Sequence, residues 1–285
     1  MCLTERNLGL LGSIVLDLGL NDGSVLVTGA AAGIGLEVAK QFAKEGCDLI
    51  LWDQSSNIDE VGQSLTAQYP ISVKTSRIDV ANEAEVNRAT EDLTDSRMVP
   101  LKYVVHAAAV GSGCFGFPFT RLNPSDWLKP LQVNLMGMVN LAHAVAPILV
   151  KQTKGSFVMI GSVAGQIGSQ TDPPYSATKA ANINFTQCMA KDLAPHGIRV
   201  NMVCPGMVKT DLMRSVWESW SRLQDEATDI TYERWVDEKV KAMIPLGNMQ
   251  NAEDIANMVL FLSSRCASQV TGQIINVDGG YVMHW

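Results

Sequence analysis

Two side chains four residues apart, Tyr175 and Lys179, could together move a proton at neutral pH. On a helix, positions i and i+4 lie one turn apart on the same face. An ammonium beside a phenol favours the phenolate and lowers the tyrosine pKa from its reference of about 10, each unit being worth about 1.4 kcal/mol. The expectation is a Tyr175 hydroxyl tuned toward neutrality, able to protonate a carbonyl oxygen or to take the proton of an alcohol. Ser162 lies thirteen residues upstream, after an apolar run at residues 156–160 that reads as a buried strand. A hydroxyl at the tip of that strand can hydrogen-bond the same substrate oxygen. A Tyr-x-x-x-Lys pair also occurs by chance on exposed helices, so its meaning rests on what else the chain carries.

What else it carries begins at residues 24–28, Ser-Val-Leu-Val-Thr, a β-branched strand that ends at Thr28 and runs straight into Gly29-Ala-Ala-Ala-Gly33-Ile34-Gly35. Leu36, Val38, Ala39, Phe42 and Ala43 then repeat at helical spacing as far as Gly46. Strand, glycine turn and helix are the context a dinucleotide site needs. Glycines let the backbone approach a pyrophosphate, and a helix N-terminus offers free N–H groups. A second strand at residues 49–52 ends in Asp53, 24 residues after Gly29, near the roughly 20 expected for a carboxylate on the adenosine ribose. Asp53 would accept hydrogen bonds from both ribose hydroxyls and repel a 2′-phosphate. Ala30, Ala31, Ala32, Gln54 and Ser55 add no cation, so the expected cofactor is NAD rather than NADP.

Further strands are expected at residues 73–78, 102–105, 198–203 and 272–277, with helices at 83–93, 125–146, through Tyr175 to 193, and 252–262. Asp79-Val80 closes the third strand, where Asp79 either caps the next helix or faces the adenine amino group. His106-Ala107-Ala108-Ala109 follows the fourth; the small residues suit a backbone running close under a cofactor, and His106 reads as structural. The loop 111–120, with Phe115, Phe117 and Phe119, could wall a substrate pocket or cover the core. Asn134 sits mid-helix among apolar neighbours, where a buried amide needs partners. Asn182, Asn184 and Gln187 read as exposed or interfacial. Cys204-Pro205-Gly206 makes a stiff turn, and in a doubly wound sheet the segment from it to Val208, Thr210 and Asp211 falls beside the ligand. Residues 211–243 are amphipathic, carry Trp217, Trp220, Tyr232 and Trp235, and read as a lid over the site or an oligomer contact.

Composition bounds the partners. A net charge of −7 with no basic cluster argues against nucleic acid. The six cysteines are scattered without C-x-x-C spacing, as expected of a chain in a reducing compartment with no metal site. No run reaches the 18 or so apolar residues of a membrane span. Residues 8–20 are interrupted by Asp17 and read as part of an N-terminal arm, so the location expected is the cytosol. One α/β domain with a lid insertion at about 211–245, behind an arm at residues 1–15, accounts for the chain.

Taken together, the glycine turn, Asp53, Asp79-Val80, Asn134, Ser162, Tyr175-x-x-x-Lys179, Pro205-Gly206 and Asp278-Gly279-Gly280 resemble the short-chain dehydrogenase/reductase family in its single-domain form, from about residue 16 to 280. The resemblance implies a doubly wound parallel sheet of the Rossmann type. It implies Tyr175 as general acid/base, Ser162 as the carbonyl-orienting hydroxyl, and Lys179 binding the nicotinamide ribose. Asn134 would hold a water that continues the proton relay. Thr28, Gly29, Gly33, Ile34 and Gly35 would cradle the pyrophosphate, with Ala107 and Ala108 beneath the cofactor and Val208 and Thr210 on the carboxamide. Where the family carries Asn-Asn-Ala-Gly this chain has residues 106–109. Dimers or tetramers, built on the helices of Asn134 and Tyr175 and on the last strand, are also implied, with the tail 283–285 against a neighbour.

The expected activity is an NAD(H)-dependent interconversion of a secondary alcohol and a ketone. The polar segment before Tyr175 leans toward a polyol, sugar or sugar acid. Two alternatives stand beside it: a 3-oxoacyl-carrier-protein reductase, and a non-catalytic nucleotide-sensing protein.

Overall fold

The computed structural model describes residues 17–94, 99–114, 118–222 and 230–283; the expected N-terminal arm, Phe115, Phe117 and the last two residues lie outside them. Seven strands form one parallel sheet: β1 (Ser24–Thr28), β2 (Asp48–Asp53), β3 (Val73–Arg77), β4 (Leu101–His106), β5 (Gly155–Ile160), β6 (Ile198–Pro205) and β7 (Ile274–Val277). Their order is β3-β2-β1-β4-β5-β6-β7. The central strands are apolar without alternation because helices cover both faces; Val25, Leu26 and Val27 have no exposed surface. Between β1 and β4 the chain reverses its direction of travel across the sheet, and such a switch point opens a crevice at the carboxyl edge.

Helices α1 (Gly33–Lys44) and α9 (Ala252–Ser263) pack together on one face, with α2 (Ile58–Gln68) beside β3. α2 is not among the expected helices; Asp59 and Glu60 in its first turn, with Val61 and Leu65 four apart, are its local signal. On the other face lie α3 (Glu83–Thr94), the short α4 (Leu128–Pro130), α5 (Gly137–Gln152) and α6 (Pro173–Leu193). α4 and α5 are joined by a π-turn at Leu131–Met136, so Pro124–Gln152 runs as one helix. By length and composition this helix could cross a membrane, but Met138, Leu141, Val145 and Leu149 are fully buried in the core beneath the sheet. Helices α7 (Asp211–Arg222) and α8 (Tyr232–Met243) make up the expected insertion and hold each other through Trp217 on Tyr232 and Trp220 on Trp235.

The connection from α9 to β7 carries the tail to the site, and β6 anchors it. Arg199 donates to the carbonyls of Leu262, Ser263 and Ser264, which lie at the C-terminal end of α9, where a cation also meets the negative end of the helix dipole. Asn201 donates to Val270 O at 2.9 Å and accepts from Gln273 N at 3.1 Å. Replacing Arg199 by Met leaves these carbonyls unpaired; the expected loss is about 2–4 kcal/mol in urea unfolding followed by circular dichroism. A change under about 0.5 kcal/mol would show that water replaces the guanidinium without cost.

Candidate active site

A cavity of about 520 Å3 opens along the carboxyl edge of the sheet, from Asp53 and Asp79 at one end to α7 and α8 at the other. The turn after β1 forms its floor. Gly29 has φ +69° and approaches the β4 extension so closely that a Cβ there would lie 2.7 Å from Ala108 N. A Cβ on Gly35 would collide with the carbonyl of Gly29. Ala32, at the N-cap of α1, has no capping side chain, and the first turn holds no acid, so its amides are free to meet an anion. Asp53 is held in place, accepting from Ala31 N at 3.0 Å and Ser55 N at 2.8 Å. Asp79 Oδ1 accepts from Ala81 N at 3.0 Å in the turn leading to α3, but the helix is capped by Asn82, which accepts from Ala84 N and Glu85 N; Asp79 lines the cavity beside Val80.

Of the expected binding residues, Gly33, Ile34, Ala107, Ala108, Pro205, Gly206, Val208 and Thr210 also line the cavity. Thr28 does not. It has no exposed surface, and its hydroxyl lies 2.8 Å from His106 Nδ1 and 3.4 Å from Ala108 N. Thr28 thus stitches β1 to β4 behind the cradle. His106 supplies that link with a ring where the family pattern has an amide, and its structural reading agrees with this position. Burial, with Lys179 nearby, pushes the His106 imidazole down to about 3, so it is neutral.

Tyr175, Ser162 and Lys179 converge on the same cavity. Ser162 ends the extension of β5, accepts from Ala164 N at 3.1 Å and hydrogen-bonds the Tyr175 hydroxyl. Asp172 caps α6 through Tyr175 N at 3.3 Å and ties down the neighbouring loop through Ser112 N at 2.9 Å. Lys179, one turn along α6, donates to Ile160 O at 2.8 Å and places its Nζ 5.4 Å from the Tyr175 ring centroid. Burial pushes the Tyr175 phenol up, and the bond from Ser162 only partly offsets it. The expected lowering by Lys179 is therefore not what governs the phenol here; desolvation outweighs it. Burial also brings the Lys179 ammonium down to about 8.

Asn134 lies within the π-turn and off the cavity wall. Its amide oxygen accepts from Val110 N at 2.8 Å, and its nitrogen donates to Val110 O at 2.9 Å and Thr178 Oγ1 at 3.0 Å. Its backbone carbonyl accepts from Asn182 Nδ2 at 2.9 Å. Asn182, expected at the surface, is buried; Asn184 and Gln187 are exposed. A polar residue three positions after Lys179, on the helix face turned toward Asn134, was the available signal.

The polar segment before Tyr175 is partly spent within the protein. Gln166 and Asn276 exchange amide bonds of 2.7 and 2.9 Å, leaving Ser169 and Thr171 on the wall. Phe119 is exposed and away from this cavity. The facing wall is formed by Trp220 and Trp235 of the segment read as a lid, with Met213, Val216, Lys239 and Met243, which were not singled out, and by Tyr281 from the tail, which Asp278 holds through Gly280 N and Val282 N.

A doubly wound sheet whose switch-point crevice holds a phenol, a hydroxyl and a buried amine defines an oxidoreductase of the dinucleotide-fold class. The chain belongs to the short-chain dehydrogenase/reductase family: residues 29–282 match the family model described as Enoyl-(Acyl carrier protein) reductase. It is 32% identical over 256 residues to a 3-oxoacyl-(acyl-carrier-protein) reductase of Aquifex aeolicus, covering 90% of this chain and 95% of that one. It is 30% identical over 259 residues to a galactitol 2-dehydrogenase of Rhizobium johnstonii, covering 90% and 93%. Among solved structures, L-sorbose reductase from Gluconobacter frateurii, complexed with NADPH and L-sorbose, superposes with a TM-score of 0.85 at 25% identity, over 94% of this chain and all of that one.

The neutral His106 carries a stability prediction. Its folded value of about 3 lies below the 6.5 of the unfolded chain, so between these limits the unfolded state binds more protons and stability falls as pH falls. From pH 7 to pH 4.5 this one group accounts for about 2–3 kcal/mol. Urea unfolding at both pH values should show a correspondingly smaller loss in His106→Asn. Equal losses in the two proteins would place the acid sensitivity elsewhere.

Proposed function

We propose that this chain is an NAD(H)-dependent oxidoreductase interconverting a secondary alcohol and a ketone. The observation that carries the reading is the Tyr175 hydroxyl, bonded to Ser162 with the Lys179 amine beside its ring, in the cavity floored by the glycine turn. Gly29, Gly33, Ile34 and Gly35 would hold the cofactor's phosphates and Asp53 its adenosine ribose, with Val208 and Thr210 at the nicotinamide end. A bound nicotinamide cofactor supplies the hydride chemistry. The free amides of α1 and the close-packed glycines fit such a group, and the fixed carboxylate of Asp53 favours the form without a 2′-phosphate.

The chain's own residues handle the proton and the orientation. A phenol kept protonated by burial donates to a ketone oxygen, and Ser162 fixes where that oxygen lies. Lys179 returns charge as the phenolate forms. The Asn134 side chain is occupied by Val110 and Thr178, so any part it takes in the relay would use the second lone pair of its backbone carbonyl, which already accepts from Asn182. Ser169 and Thr171 support a small hydroxylated substrate of polyol or sugar type, the class named in two of the relatives above. The apolar wall of Met213, Val216 and Met243 favours a second reading, a 3-oxoacyl substrate. A cytosolic homo-oligomer completes the proposal; Leu128 and Met136, 57% and 46% exposed near the π-turn, support pairing through that face.

Tyr175→Phe should lower kcat about 100- to 10,000-fold on whichever alcohol of a broad panel the wild type oxidises; equal turnover would refute the role. The KM for NADPH should exceed that for NADH at least about tenfold, given the cost of facing two anions in a cleft, and comparable values would overturn the cofactor choice. Ketone reduction needs a proton on Tyr175 and an ammonium at Lys179, so its kcat/KM should be level below about pH 8 and fall above it. A falling limb that persisted unchanged in Lys179→Met would assign it to another group.

A further inference from the structure

Lys239 is the unexplained charge in this cavity. Among the described lining residues the amines are Lys179 and Lys239. Lys179 is buried at the catalytic end and bonded to Ile160. Lys239 stands on α8, half-buried, among the otherwise apolar residues of the lid wall. Two of the three acids on its own helix are already taken: Asp237 pairs with Lys241 at 2.6 Å and Glu238 with Arg234 at 3.0 Å, while Glu233 lies in the first turn, six residues back. Lys239 makes no ion pair among the described residues. Its Nζ lies instead 5.0 Å from the ring centroid of Trp235, a side chain that is itself 5% exposed. A cation laid on a buried aromatic face is partly desolvated and fixed in direction, and its attraction for an incoming anion is stronger than that of a lysine in open water.

Apolar pockets gain orientation from a few polar groups placed within them. The other charges on this wall are of opposite sign: Asp172, whose oxygens are held by backbone amides, and Asp211 at the start of α7. An anion is accommodated beside Lys239 and disfavoured beside either acid. One ammonium balances one negative charge, which matches a carboxylate better than a doubly charged phosphate.

We propose that Lys239 is a specificity-determining residue that seats the carboxylate of a hydroxy-acid or oxo-acid substrate against the Trp235 face. This rests on the alcohol–ketone reading above and narrows its substrate class. The test pairs short hydroxy acids and sugar acids with their neutral amides, assayed with NAD on wild type, Lys239→Met, Lys239→Arg and Lys239→Glu. Wild type should prefer acids. In Lys239→Met the acid KM should rise at least tenfold while the amide KM changes less than twofold, the loss concentrated in KM rather than kcat. Lys239→Arg should recover most of the acid affinity, and Lys239→Glu should weaken it beyond the Met variant. Equal effects on acids and amides would overturn the proposal, as would a rise in KM for NAD that left the acid preference intact. Failure of the underlying reading is distinguishable. If no panel member turns over, quenching of Trp220 and Trp235 fluorescence by acids, lost in Lys239→Met, still supports the carboxylate seat. Quenching equal for acids and amides rejects it.

Discussion

The site depends on an amine kept in a dry place. Lys179 is 2% exposed at the edge of a parallel sheet, and water cannot solvate its charge there. One carbonyl, that of Ile160 at the tip of β5, meets it directly. The helix that carries it starts at Asp172, whose carboxylate fixes the first turn and so sets how far along the strand ends Tyr175 and Lys179 reach. Move α6 by a fraction of a turn and the amine loses Ile160 while the phenol loses Ser162. The capping acid, the strand tip and the Tyr175 and Lys179 side chains are one geometric unit.

Burial then reverses a simple expectation. From spacing alone, an amine four residues from a phenol should make it acidic. In the folded protein, desolvation raises the phenol and lowers the amine, so each moves toward its neutral form. A reaction that places charge near them recovers part of that cost, because the charge they are denied in isolation becomes paired. The dry environment thus makes the charge on either group depend on what occupies the cavity.

The strands themselves, the glycine turn, Asp53 and the Tyr175 constellation were legible because each is written in a contiguous stretch: an apolar run, a fixed spacing, a turn chemistry. What was not legible is tertiary. Thr28 looks like part of the cradle by adjacency, yet its hydroxyl faces His106 across two strands. Gln166 looks available to a substrate, yet Asn276 claims it from 110 residues away. Asn182 looks like a surface amide, yet the π-turn supplies the carbonyl that draws it inward. The amphipathic insertion was visible as such, but which of its residues face the cavity depends on how α7 and α8 lean on each other. The fold alone reveals what His106 does at residues 106–109, where its ring nitrogen reaches the Thr28 hydroxyl.

The π-turn at Leu131–Met136 also has a geometric corollary. A turn of this kind accommodates one residue more than the regular helix, and each residue of an α-helix advances about 100° around the axis. Excising a single position there would close the wide turn into regular α-helix, and Trp127 and Leu128 would keep the faces they present now. The change would fall on the turn itself, where closing it would part Asn134 from Val110. The additional residue therefore serves the position of Asn134 rather than the facing of the helix.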